Sequence, residues 1–216
     1  MTEENTATVE SAYLSALAAL EAIFQKRDYI LGDKPTQADF GFMGPMFRHF
    51  FCDPKPARVM RDTAPAVQEW VARMWNSNPQ RFSNAAPISS LVSGLNALIE
   101  PVTSAYLPYL RANELAVNAE QAYCNYNVLG SDFSEPAKPY RLWCLDQLRI
   151  QYQGLDAQAK RHVDLLLDEP SIALLSMEKN GSCDYLIPAL PIKTKCNGDA
   201  IYDSWGRTPD VNENPL

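Results

Sequence analysis

Between residues 6 and 26 the apolar side chains Val9, Tyr13, Leu17, Leu20 and Phe24 recur at intervals of three and four, with Ala16 and Ile23 widening the same stripe. A helix of 3.6 residues per turn lays such positions along one face, whereas a strand would scatter them over two. The spacing commits this segment to an amphipathic helix whose apolar side needs cover. The same period returns down the chain, cut by proline and glycine. Phe40, Met43, Phe47, Phe50 and Phe51 form a second helical surface, bent at Pro45, whose ring supplies no amide hydrogen to the preceding turn. Val67, Trp70, Val71 and Met74 mark a third, opened by Pro65. Residues 88–128 read as two or three helical pieces kinked at Pro101 and Pro108, and 132–139 as a loop. A helical hairpin turning at Gly154 is expected next, with Leu142, Leu145, Leu148 and Tyr152 facing Val163, Leu166 and Leu167. From residue 168 onward Pro, Gly, Asn and Asp dominate and an irregular tail follows. No stretch shows sustained strand alternation, and the chain reads as all-α.

Charge narrows the partners. The 216 residues carry 26 acidic and 19 basic side chains, a net −7, which opposes a phosphate backbone or an anionic bilayer surface. Neither nucleic acid nor a membrane is expected as a partner. No apolar run approaches the ~20 residues of a bilayer span, and the acidic start Met1-Thr2-Glu3-Glu4-Asn5 is unlike a basic, then hydrophobic, secretory leader. A cytoplasmic location is expected. The five cysteines, Cys52, Cys124, Cys144, Cys183 and Cys196, are widely spaced and accompanied by only two histidines. They read as reduced, mostly buried thiols, and no metal site is expected from them.

The stretch Tyr29-Ile30-Leu31-Gly32-Asp33-Lys34-Pro35-Thr36-Gln37-Ala38-Asp39-Phe40 carries the most information. An apolar triplet followed by Gly32 and Pro35 reads as a short buried connection. Thr36 and Asp39 then have the spacing of a capping box. The Thr36 side chain can accept from the Asp39 amide while the Asp39 carboxylate reaches back to the Thr36 amide, satisfying donors that a helix start leaves orphaned.

That motif, placed after an amphipathic helix and before an Asp-Pro, a Pro-x-Arg-x-Met helix and a Trp-bearing helix, resembles the C-terminal helical domain of the glutathione transferase superfamily. The matching positions are Gly32, Asp33, Pro35, Thr36, Ala38, Asp39 and Phe40, continuing more loosely through Pro65, Val67, Trp70, Arg73 and Met74. The resemblance covers residues 6–78 and implies a helical bundle there; beyond it, the residue pattern alone gives a helical extension over 88–167 and the irregular tail of 168–216. It implies a folding role for Thr36 and Asp39. It also implies that glutathione is bound by a thioredoxin-like domain, of which this sequence shows no βαβ pattern, cis-proline motif or catalytic hydroxyl. The chain alone is therefore expected to bind no cofactor. It would take glutathione only with such a domain supplied, and would expose an apolar face to that missing or separate domain or to a second copy of itself. The resemblance further implies that the segment forms the hydrophobic-substrate wall of a transferase-like protein. A non-catalytic docking module is the alternative.

Within this frame Met43, Met46 and Phe47 are the candidates for lining a hydrophobic substrate pocket, although Met and aromatic residues at helical spacing more often form core. Arg58, one turn from Arg61 and near His49 in sequence, could hold an anion. A solvated helix face explains it more simply. Tyr106, Tyr109, Tyr123 and Tyr126, with Asn113 and Asn125 nearby, could build a polar aromatic-walled cleft, and a helix interface wet at one edge explains them equally well. No residue is assigned a catalytic role. Cys52 lacks a histidine placed to act as its base.

Overall fold

The computed structural model describes residues 3–82 and 93–178. Helix α1 runs over Glu3–Phe24, α2 over Gln37–Pro45, α3 over Pro54–Thr63 and α4 over Pro65–Trp75. Short helix α5 (Asn96–Pro101) leads to α6 (Leu107–Asn118), then to strands β1 (Tyr123–Val128) and β2 (Ser131–Pro136), and finally to α7 (Pro139–Gln153), α8 (Ala157–Asp164) and α9 (Glu169–Ser176). The all-α reading holds for the architecture, with one hairpin set into it.

Two prolines act as expected but with a particular outcome. Pro45 and Pro101 each end an α-helix that continues without a break as a π-helical segment, Met46–Phe51 and Val102–Tyr106. A proline removes one i→i−4 bond, and the wider turn that follows lets the backbone find acceptors one residue further back, as in the Cys52 amide bonding to the Phe47 carbonyl at 3.2 Å.

The first core forms where α1, α2, the Met46–Phe51 segment, α3 and α4 meet. Leu17, Leu20, Ile23, Ile30, Met60, Val67 and Trp70 are all at most 2% exposed, and each such side chain contributes roughly 1.5–3 kcal/mol of apolar transfer. Phe24 stacks on Trp70 with centroids 4.8 Å apart. Leu95 and Leu98 of α5 and its approach return to pack on this core. Residues 83–92 lie outside the described residues. Just before them Pro79–Phe82 form a 3₁₀ turn, and Phe82 stands edge-on to Tyr29 at 5.5 Å.

α1 corrects one expectation. Its stretch Thr6–Phe24 is long and apolar enough to cross a membrane by length and composition, although only a third of it is buried. Alanine-rich stretches hide this property because no single residue is strongly apolar. Its inner face, Leu17, Leu20 and Ile23, belongs to the first core. Glu21 on that face places Oε2 2.9 Å and 3.1 Å from the amides of Ala66 and Val67. Helix α4 begins on Ala64 and Pro65, which offer no side-chain cap. A carboxylate from another helix thus meets its orphaned donors and the positive end of its dipole.

The hairpin corrects a second expectation. Residues 123–128, read as helical, and 132–136, read as loop, are antiparallel strands in register from Tyr123 opposite Pro136 to Val128 opposite Ser131. The two-residue turn has positive φ at both Leu129 (51°) and Gly130 (84°), the hairpin geometry that matches strand twist. A third correction concerns the tail. Residues 169–176 are helical, with the Asp168 carboxylate accepting from the Ser171 amide at 2.9 Å, and Leu174 and Leu175 are buried. Beyond residue 178 the expected irregular tail lies outside the described residues.

The second core joins α6, α7 and α9 through Leu107, Leu110, Leu145, Tyr152, Leu174 and Leu175, with Leu148, Val163 and Leu167 against them. At its centre Glu114, fully buried, takes a two-pronged pair from Arg149 (2.6 and 3.0 Å) and a further bond from Arg111, while Arg149 Nε reaches the Leu174 carbonyl at 3.2 Å. Burial pushes the Glu114 carboxyl up, but the hydrogen bonds and charges of Arg149 and Arg111 outweigh it and hold the group below its ordinary value. Such a pair adds little net stability when whole, whereas breaking one partner costs about 3–5 kcal/mol because the other stays buried and charged. Glu114→Gln is expected to lower unfolding free energy by about that amount in urea melts. The native carboxyl titrates below the ordinary value of 4.5, so the unfolded chain binds its proton first as pH falls. The stabilisation is complete above 4.5 and fades as pH drops through the native value, and the Gln variant should lack that part of the acid slope.

Candidate functional site

The sequence motif folds into a connection tied at both ends. Gly32 has φ of +147°, a conformation costly for any residue with a Cβ, and it closes a tight loop in which Tyr29 and Gly32 exchange backbone bonds at 3.0 and 3.2 Å. Tyr29 and Ile30 are buried. Arg27 Nε binds the Ile30 carbonyl at 2.9 Å, and Arg73 binds the Asp28 carbonyl at 2.7 Å.

Asp39, wholly buried, is the acceptor at the centre. Its Oδ2 receives the Thr36 amide and the Thr36 hydroxyl, both at 2.9 Å, which with the return bond from the Asp39 amide completes the box at the start of α2. Its Oδ1 receives two groups that sequence spacing does not reveal, the Ile30 amide at 2.9 Å and the Trp70 indole Nε1 at 3.1 Å. A carboxylate has only acceptors, and here each of these contacts is with a donor. Its work is structural, joining the connection, α2 and α4.

Met46 is buried, and Met43 and Phe47 are half-buried in the same core. The Phe47 ring stacks at 4.5 Å on Trp75, which is 66% exposed. Arg58 stands apart from these three. It lies on the solvent face of α3, its side chain 80% exposed and paired with Asp62 at 3.6 Å, and Arg61 and His49 are exposed as well. Cys52 is exposed, Cys124 is buried and Cys144 half-buried, so the expectation of mostly buried thiols holds for one of these three, while Cys183 and Cys196 lie outside the described residues. Among the described residues no group of three or more His, Cys, Asp or Glu is placed to hold a metal.

An apolar pocket of about 220 Å³ opens between the N-terminal half of α1, the Met46–Phe51 segment and α3, lined by Val9, Tyr13, Leu14, Phe50, Pro56 and Val59 among others. Tyr13 stacks on Phe50 at 4.3 Å and donates to the Pro56 carbonyl at 3.1 Å, and burial raises its pKa. Lys55 is the only cation in the lining and is paired with Glu10 at 3.4 Å. Glutathione, a tripeptide with two carboxylates, does not fit such a lining, because a single lysine already shared with a glutamate cannot balance both of them. Sequence spacing does not reveal this pocket, since Tyr13 and Phe50 each fall on the apolar stripe of their own helix and read as core.

The first third of the chain thus defines an α-helical bundle whose second helix is entered through a buried connection and capped by a fully enclosed aspartate. Residues 2–78 match the family model for the glutathione S-transferase C-terminal domain. This segment is similar to that domain, and the match does not extend to the rest of the chain. No curated protein and no solved structure matches the chain.

Asp39→Ala leaves two backbone amides and the Trp70 indole without their acceptor, and at about 1–3 kcal/mol for each buried group the loss should exceed about 3 kcal/mol in denaturant melts followed by tryptophan fluorescence. Asp39→Asn keeps one acceptor oxygen but turns an NH₂ toward donors, and should fall between wild type and alanine.

Proposed function

We propose that residues 6–78 form the helical half of a transferase-like site, presenting an apolar wall that is completed by a thioredoxin-like domain, on the same or a separate chain, or by a second copy. The carrying observation is α1. It is apolar along Thr6–Phe24 yet only one-third buried, and it leaves Val9 and Leu14 about half exposed beside the Tyr13–Phe50 pocket. A pocket of about 220 Å³ is smaller than the ~300–1,000 Å³ that usually encloses a small molecule, which fits one wall of a site better than a whole one. In this reading Met43 and Phe47 extend the wall, Met46 backs them from the core, and Arg58 sits at the outer edge where a charged substrate end would meet it. The extension read over residues 88–167, described from residue 93 as helices carrying one β-hairpin, serves as a scaffold packed on the 6–78 bundle, and the protein works in the cytoplasm.

No catalytic role falls to this chain alone. In the family the groups that grip glutathione belong to the thioredoxin-like domain, and the segment matched here is the other domain. The same uncovered face supports the second reading, a docking module without catalysis, since a patch of this kind serves equally to bind a partner protein.

Calorimetric titration of glutathione into the purified chain is expected to show no binding heat, and light scattering a mass above the 24.2 kDa of one chain. Leu14→Glu should return the mass to a single chain while changing unfolding free energy by no more than about 0.5 kcal/mol, as for an exposed site. Glutathione binding or conjugation of a model electrophile by the chain alone would overturn the reading. A monomer that neither self-associates nor captures a thioredoxin-like domain would count against both forms of it.

A further inference from the structure

We propose that Arg141, Tyr106 and Tyr109 form a binding site for a small carboxylate carried on a planar body. Arg141 sits in the first turn of α7, against the end of the Val102–Tyr106 segment and the start of α6. Its guanidinium lies 5.8 Å from the centre of the Tyr109 ring and 5.9 Å from that of Tyr140. Burial raises the pKa of both Tyr106 and Tyr109, and the nearby Arg141 guanidinium pulls each of them back down. Among the described residues it has no carboxylate within ion-pair distance, in contrast to Arg149 and Arg111, which share Glu114. Its Nε is shielded from water and has no hydrogen-bond partner, so that N–H bears a desolvation penalty of its own, although burial, which lowers the guanidinium pKa, is outweighed by the charges of Tyr109 and Tyr106, which keep it raised. An arginine left so is an acceptor-seeking fork, and a carboxylate is the anion whose two oxygens match it.

The surroundings choose the rest of the ligand. A tyrosine oxygen that accepts from the guanidinium keeps its own hydrogen to donate, so Tyr106 and Tyr109 can add hydroxyl donors to the same anion. The nearby carboxylate, Glu135, is engaged elsewhere, accepting from the Tyr126 hydroxyl at 3.1 Å. Tyr140 is 56% and Tyr106 37% exposed, so the surface beside the guanidinium is flanked by aromatic side chains within reach of solvent. α7 begins on Pro139 with no acidic residue in its first turn and no side-chain cap, so its positive end adds to the field there rather than opposing it. Nε itself is shielded, so a carboxylate reaches it only once a neighbouring side chain moves aside.

Benzoate is the probe, with benzamide as its neutral isostere, titrated into the full chain at low ionic strength and followed by calorimetry. Saturable benzoate binding is expected, with benzamide at least about tenfold weaker, since a charged pairing of this kind is worth a factor of that size. Arg141→Gln should weaken benzoate at least about tenfold, and Tyr106→Phe with Tyr109→Phe about three- to tenfold. The double Phe variant removes two hydroxyls and no ring, so it carries the test if Arg141→Gln does not fold. No saturable benzoate binding, equal binding of benzamide, or benzoate affinity unchanged in both variants overturns the proposal.

Discussion

A buried carboxylate that accepts from four donors holds the first bundle in register. Asp39 is wholly enclosed, and its two oxygens receive the Ile30 amide, the Thr36 amide and hydroxyl, and the Trp70 indole. Each donor belongs to a part of the chain that must arrive at a fixed angle: the connection after α1, the start of α2, and the inner face of α4. Isolating a charge in an apolar core costs several kcal/mol, and the arrangement persists because both oxygens are fully engaged by donors. An apolar residue of the same size would fill the space but leave three buried N–H groups unmet. That accounts for why aspartate stands here, where packing alone would ask for leucine.

The same device recurs with different partners. Glu21 spans from α1 to the amides that open α4, and Glu114 ties α6 to α7 and, through Arg149, to the end of α9. Apolar contacts supply most of the free energy of burial but are indifferent to small rotations of a helix about its axis. A carboxylate with two-pronged partners is not. Most helices of both cores are short, so few apolar layers are available to set their angles, and the buried acids supply that definition.

These acids also mark where reading the sequence stops. The capping box is legible because its partners are three residues apart, and the bend at Pro45 because one residue causes it. The Trp70 indole lies 31 positions from Asp39, Val67 lies 46 from Glu21, and Arg149 lies 35 from Glu114. No periodicity links such pairs. The hairpin escapes for another reason. Cys124, Tyr126 and Val128 do alternate inward along β1, but Asn125 and Asn127 between them suit a helix surface as well, and the Leu129-Gly130 turn lacks the Asn-Gly or Asp-Gly signature of its type. Of the residues offered for a substrate wall, Met43, Met46 and Phe47 share one core because they follow one another along one helical run, whereas Arg58 shares with them only proximity in sequence.

The displacement of the pocket from Phe47 to Phe50 follows from the proline. Were α2 to continue as an α-helix past Pro45, Met43, Phe47, Phe50 and Phe51 would share one stripe and turn together toward the core. The π-helical segment adds a residue to the turn, so side chains after Pro45 drift around the axis relative to those before it. Phe47 comes to lie under Trp75, and Phe50 swings to Tyr13 on α1. The segment that follows Pro45 thus sends one aromatic ring to α4 and another to α1 while both stay packed on the first core.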